Sequence, residues 1–300
     1  MTIMAPRTTG ISRELLIHPG ETIADILNER NISQLELATC AGVSPAYVCN
    51  VISGKKSISA RFAQSLEYVL GVPKSFWLNL QANYEAELLE VTEFESITDE
   101  ERSESVNLTK LVSHLSANTL SIDTSTQDST ILSLRRCLKV SNIANVKNLL
   151  PPENRDNPSV NPYIEGAWIR MCQINVEHHE VSTSFNPKMV SYLIEELKSI
   201  NNSSLTELLA KYGIDFNVTD SYKDLLSHGY IMPKSDGVYQ ITISSKSKDD
   251  NSIRFALMHE IGHIVNGDVS KRTGFLDLGR ESSSDKKADD FAYKALSSAE

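Results

Sequence analysis

The segment Phe255-Ala256-Leu257-Met258-His259-Glu260-Ile261-Gly262-His263-Ile264-Val265 sets three chemically active groups within an apolar run. Read as one helix, it has an apolar side of Phe255, Leu257, Met258, Ile261, Ile264 and Val265. Its polar edge carries His259, Glu260 and His263. Residues four apart on an α-helix lie one above the other. Two imidazoles so placed can hold one Zn²⁺, and the carboxylate between them can serve as base toward water activated there. A core helix with incidental histidines has the same composition, and the apolar flanks call for burial either way. Catalytic zinc takes three protein ligands, so a third must come from downstream. Asp268 is near but sits five residues past His263, with Asn266 and Val269 where an HExxHxxGxxH pattern needs Gly and His. The last helix is the better source. Ala288, Phe291 and Ala292 make its apolar face, and Asp285 and Asp289 stand one turn apart.

The elements that must position this helix are legible upstream. Helices are expected from Ala167, over 187–200 and over 205–212. The apolar period then changes from 3.6 to 2, and strands are expected over 214–218, 229–232 and 238–244, the last alternating strictly. Helices, a small sheet and then the His259 helix make an α+β domain. The strand 238–244 leads into that helix. His178-His179 reads as a solvated surface pair.

The first third of the chain is all helical in pattern. Residues 1–17 lack periodicity and read as an arm. A helix starts at His18-Pro19-Gly20-Glu21 and ends at Arg30-Asn31. Ser33 is a suitable N-cap for a second helix over 34–40, and Glu36 completes a capping box. Gly42 suits a left-handed turn. A third helix runs from Pro45 to about Gly54, a fourth over 59–70 and a fifth from Pro73 to Leu89. Ala38 is small where two helices cross, and Val48 and Ile52 are expected in the core. Two short helices joined by a glycine turn are a helix-turn-helix; a five-helix docking bundle is the plainer alternative.

Residues 18–90 resemble the Cro/repressor-type (XRE) domain of HigA/VapA-type antitoxin regulators. The likeness is carried by Gln34, Ala38, Gly42, Val43, Ser44, Val48, Ile52 and Gly54-Lys55-Lys56, with His18-Pro19-Gly20-Glu21 before and Phe76-Trp77-Leu78-Asn79-Leu80-Gln81-Ala82 after. It implies a third helix in the major groove, with Ser44, Ala46, Tyr47 and Asn50 toward base edges and Gln34, Lys55, Lys56 and Arg61 on phosphates. That division suits the general pattern of phosphate positioning and base readout, although Tyr47 and Asn50 are also ordinary surface residues. Residues 1–90 hold seven Lys/Arg against nine Asp/Glu, a net of −2. A head this weakly charged calls for a homodimer on a pseudo-palindromic operator, its half-sites about 34–36 Å apart.

Residues from about 163 to 296 resemble the ImmA/IrrE metallopeptidase domain, whose motifs are HExxH and ExxA[ND]xFA. The resemblance implies a zincin-like domain with His259, His263 and Asp285 as zinc ligands and Glu260 as general base. Asp289 would orient a ligating imidazole, as metal-binding histidines need. Asp285 stands where that family commonly has Glu, so its helix must come closer; as a first-turn acid after Ser282-Ser283-Ser284 it also has a purely structural reading. Members of that family usually continue past this helix, and some exposure of the site is expected here. The family architecture also implies that the strand 238–244 accepts an extended peptide as an added strand, with Tyr239 or His228 as oxyanion donors or, on the plainer reading, as structural residues.

Bulk properties frame these readings. Three hundred residues suit about two domains. The expected architecture is multidomain: an all-α five-helix helix-turn-helix domain at 18–90, a linker with short helices at 91–162, and an α+β HExxH domain at 163–300. The linker rests on an acidic stretch, 91–104, and a Ser/Thr/Asn-rich one, 103–130, with prolines at 151–162. The net charge of −10 argues against a chain coated for nucleic acid but leaves room for one basic face. No apolar run reaches 18 residues, and 1–10 has no apolar leader core, so no membrane and a cytoplasmic location are expected. Cys40, Cys49, Cys137 and Cys172 are scattered and read as reduced, mostly buried thiols.

The expected function is a DNA-binding regulator and antitoxin of a toxin–antitoxin type system, carrying a zinc-dependent endopeptidase domain. Its expected partners are operator DNA and a protein toxin or repressor. The alternative is a non-enzymatic repressor-antitoxin whose degenerate peptidase-like domain senses a ligand or binds a toxin. A freestanding protease with a helical targeting module accounts poorly for the helix-turn-helix.

Overall fold

The computed structural model describes residues 16–116, 121–174, 181, 183–200, 204–234, 237–245, 249–279 and 282–297. The arm at 1–15 and the pair His178-His179 lie outside these residues. The chain divides into two compact units, Met1–Ile97 and Thr98–Glu300.

The first unit has five helices: α1 (Pro19–Glu29), α2 (Gln34–Ala41), α3 (Pro45–Ile52), α4 (Ala60–Leu70) and α5 (Lys74–Glu93). Four of them begin on a side-chain acceptor. His18 Nδ1 takes the Gly20 amide, and Ser33, Ser44 and Ser59 take those of Glu36, Tyr47 and Phe62. Such caps satisfy donors that a helix start leaves free. Ile23, Leu27, Leu37, Ala38, Val48, Phe62, Leu66 and Trp77 form the core. Val51, fully buried, takes the place expected for Ile52, which is half-buried. The His18-Pro19-Gly20 opening has a packing reason: a Cβ on Gly20 would lie 2.1 Å from the Val51 carbonyl, so α1 crosses the end of α3 at backbone distance.

The second unit starts earlier than its sequence suggests. The segment 91–162, expected as a linker, is mostly helical, and from Thr98 onward it belongs to this unit. α6 (Asp99–Leu115) is closed by a reciprocal Thr98–Glu101 box, and its Leu108, Leu111 and Val112 are fully buried. α7 (Gln127–Leu138) follows, then 3₁₀ turns at Ile143–Leu149 and Pro152–Asn154 and the enclosed α8 (Pro162–Ile174). Glu101 fastens this layer. Its carboxylate takes both Arg135 Nε (2.9 Å) and Nη2 (2.6 Å), together with the amides of Ile143 and Thr98. Ser, Asn and Thr on α6 mislead because its apolar positions are sparse and their partners lie far along the chain.

The sheet comprises β1 (Ile214–Asp220), β2 (Gly229–Pro233), β3 (Tyr239–Ser245) and β4 (Phe275–Asp277), ordered β1-β3-β2-β4. β1 runs parallel to β3; β2 is antiparallel to β3 and β4. Because β3 is paired on both sides, the expected peptide addition there is overturned; β1 and β4 are the edges. Ile241 and Ile243 join a core with α9 (Val190–Leu197), α10 (Leu205–Lys211), α11 (Asp250–Asn266) and α12 (Ser283–Ser297). Gln240 and Thr242 on the other face are also fully buried, and Gln240 Nε2 donates to the Cys172 carbonyl of α8.

Cys172 alone of the four thiols is buried; Cys40 and Cys49 are exposed, against the expectation. Among the described residues no single helix is long and apolar enough to cross a membrane.

Candidate nucleic-acid interface and metal centre

Between α2 and α3 the chain turns by 117° through Gly42-Val43-Ser44, with Gly42 at φ +68°. Helix-turn-helix pairs cross at about 90–120° over a three- or four-residue turn. Ser44 caps α3, and Ala46 and Cys49 are exposed along it, with Asn50 half-buried one turn beyond Ala46. Tyr47 is more constrained than a free contact residue. Its ring meets Phe62 edge-on (5.1 Å), its hydroxyl lies 3.3 Å from Ser59 Oγ, and Lys56 Nζ stands 5.3 Å from its centroid. Lys55 and Lys56 are exposed in the turn after α3, where their amides both bond the Asn50 carbonyl. Gln34 and Arg61 are exposed in the first turns of α2 and α4. Cys49 shares the exposed side of α3 and was not anticipated; its spacing of three from Ala46 was the available signal.

In the second unit α11 carries His259, Glu260 and His263. Asp249 caps it, and Gly267 ends it in the left-handed region. The two imidazoles face each other, Nε2 to Nε2, at 3.0 Å. His259 Nδ1 lies 2.8 Å from Asp289 Oδ1, and His263 Nδ1 lies 2.9 Å from Asp268 Oδ2. A carboxylate accepts, so each Nδ1 carries the proton and each Nε2 presents a lone pair. Two lone pairs at that distance repel unless a cation or proton lies between them. Tetrahedral zinc with Zn–N near 2.0–2.1 Å holds two nitrogens about 3.3 Å apart.

Asp285 closes the first turn of α12 and also faces His263. Its Oδ2 accepts the Ser282 amide, Ser282 Oγ accepts the Asp285 amide, and its Oδ1 lies 3.8 Å from His263 Nε2. His259, His263 and Asp285 offer donor atoms within 4.8 Å of one another. Gly262 lets α11 and α12 come close. A Cβ there would sit 3.0 Å from Ala288 Cα, so α11 and α12 pack almost backbone to backbone.

Glu260 is 2% exposed, and its Oε2 has no hydrogen-bond partner. It lies across Gly229 of β2, where a Cβ would fall 1.8 Å from Oε1. Burial, and then the charges of Asp277 and Asp285, push its carboxyl well above the usual range. The Asp285 carboxylate and the two facing imidazole nitrogens form a donor set that suits a divalent cation.

Sequence reasoning missed Asp277, and it weighed Asp268 only as a metal ligand and not as the partner of His263 Nδ1. Asp268 follows the helix as a loop residue, held also by Ser284 Oγ. Asp277 lies on β4, three residues long, with no period to read. His228 is exposed and hydrogen-bonds through its backbone, while Tyr239 packs against Phe185.

Residues 16–97 thus form a helix-turn-helix domain. The Helix-turn-helix family model matches residues 23–77. Over 63 residues the chain is 33% identical to the uncharacterized HTH-type transcriptional regulator YddM of Escherichia coli (strain K12), covering 21% of this chain and 67% of that protein. Two solved structures are similar to the same region. The Pseudomonas aeruginosa antitoxin HigA with higBA promoter is 33% identical, covering 26% of this chain and 86% of that one, with a TM-score of 0.25. The antitoxin GraA is 33% identical, covering 25% and 82%, with a TM-score of 0.25. The chain belongs to the helix-turn-helix family of transcriptional regulators.

Proposed function

We propose that this chain is an operator-binding antitoxin-type regulator whose second unit is a zinc-dependent endopeptidase of the zincin type, related to ImmA/IrrE. The regulator half is supported by the exposed side of α3 and by the lysines that follow it. The antitoxin assignment rests on the His18-to-Glu21 opening and Phe76-to-Ala82 closing motifs. A head with net charge −2 binds as a homodimer on two half-sites, and a toxin or repressor protein is the partner of the peptidase unit.

The peptidase half rests on one observation: two imidazoles turned Nε2 to Nε2 beside a buried, unpartnered glutamate. His259, His263 and Asp285 would hold the metal. When bound, zinc polarises a peptide carbonyl and makes water acidic near neutral pH. Asp289 and Asp268 keep both imidazoles in the Nδ1–H tautomer. Glu260 Oε2 takes the proton of the hydrolysing water and returns it to the departing amine. Gly229 leaves the room in which that carboxylate sits.

The test measures metal by mass spectrometry and peptide cleavage by wild type and Glu260→Gln. One zinc per chain is expected in both, with cleavage reduced about 10²–10⁴-fold in the variant. A chain without zinc, or with cleavage indifferent to Glu260, is instead a non-enzymatic repressor.

A further inference from the structure

The β2–β4 register sets Gly229 opposite Asp277, so Asp277 stands beside the glycine over which Glu260 lies. Its side chain is 5% exposed, and its Oδ2 is 3.7 Å from His259 Nε2. That separation nearly equals the 3.8 Å between Asp285 Oδ1 and His263 Nε2. The two imidazole nitrogens therefore have a carboxylate oxygen each at similar range. Asp277 Oδ1 is occupied by the Gly279 amide at 2.8 Å, which leaves Oδ2 to face the histidine. Gly279, at φ +61°, makes the turn that fixes this geometry.

We propose that Asp277 is a fourth protein donor that competes with water at the metal site, so that the centre at rest is closed by four side chains. The inference depends on the metal-centre reading above and deepens it. Closed four-ligand sites hold metal structurally, whereas hydrolytic ones keep a position open. A centre closed by this carboxylate is held latent while Asp277 keeps the place of water.

The test uses the full chain loaded with Co²⁺, which reports coordination in its visible absorption. Wild type, Asp277→Ala and Asp277→Asn are compared for stoichiometry, affinity in chelator competition, and spectrum. The asparagine variant retains an oxygen for the Gly279 amide and guards against a folding defect. The expectation is one Co²⁺ in wild type, about tenfold or greater weakening in both variants, and a changed spectrum as water replaces the carboxylate. Co²⁺ binding with unchanged affinity and spectrum in both variants overturns the role of Asp277 and leaves the three-donor site standing. Failure of wild type to bind Co²⁺ overturns the metal centre and this inference together.

Discussion

The first unit buries no charged side chain among its described residues, and every residue proposed to meet DNA is exposed or half-buried over an apolar core. Among its described residues the second unit encloses six carboxylates: Glu101, Glu165, Asp215, Glu260, Asp277 and Asp285. Three of them have dedicated partners: Arg135 for Glu101, Lys234 for Asp215, and the Leu226 amide with the Ser227 hydroxyl for Glu165. Of the other three, Asp277 and Asp285 each accept a nearby amide with one oxygen and turn the other toward a histidine, and Glu260 Oε2 has no partner. A head organised in this way tolerates changes at its contact surface without loss of fold. In the second unit, the proposed chemistry sits among buried charges on which stability also depends.

The largest expected effect breaks a partnered charge. Glu101→Gln should destabilise the second unit by about 3–5 kcal/mol in denaturant titration, because it leaves the Arg135 guanidinium without its counter-ion. Burial raises the Glu101 carboxyl, but Arg135 and the amides of Ile143 and Thr98 outweigh it and leave it below its usual value. A carboxyl depressed by folding adds stability above its unfolded value of about 4.3 and loses it as pH falls through the folded value. Wild type should therefore lose stability on acidification below about pH 4, and the variant should lose less over that range.

Next is Gly229→Ala. The added methyl occupies the place of Glu260 Oε1, the end of a side chain, so the carboxylate turns away while the strand remains. Cleavage should fall about 10²-fold, as expected for a misplacement near 1 Å, with zinc content unchanged. Loss of zinc as well would mean that Gly229 supports the whole centre.

The smallest effects fall on the head. Asn50→Ala should cost about 1–3 kcal/mol on the preferred operator and relax preference at one base pair. Lys55→Ala should weaken binding to all sequences alike and lower the salt slope by about 1. Neither should move the thermal midpoint. A shift in it would show that the head's surface is coupled to its core.

The two units also differ in how much of each the amino-acid sequence revealed. In the head, each signal and its consequence lie within a few residues: Ser44 caps the helix it precedes, and Gly42 makes the turn it occupies. The same locality made His259, Glu260 and His263 readable, four residues apart on one helix. Glu101 and Arg135 are 34 residues apart, and only the Thr98-x-x-Glu101 box marked α6 against the polar composition around it. Asp268 and Asp277 act from a loop and a three-residue strand, where no period exists to read. The two-sided pairing of β3 was hidden because a strand of seven residues does not disclose its neighbours.

Asp285 spends one oxygen closing the first turn of α12 and turns the other toward His263. On the proposed reading, metal occupancy and order at the start of that helix are thermodynamically linked. A ligand at a hundred times its Kd stabilises the state that binds it by about 2.7 kcal/mol. Stripping the chain with a chelator should therefore speed amide exchange most in the opening turn of α12, making that turn a gauge of metal loading that can be read without a substrate.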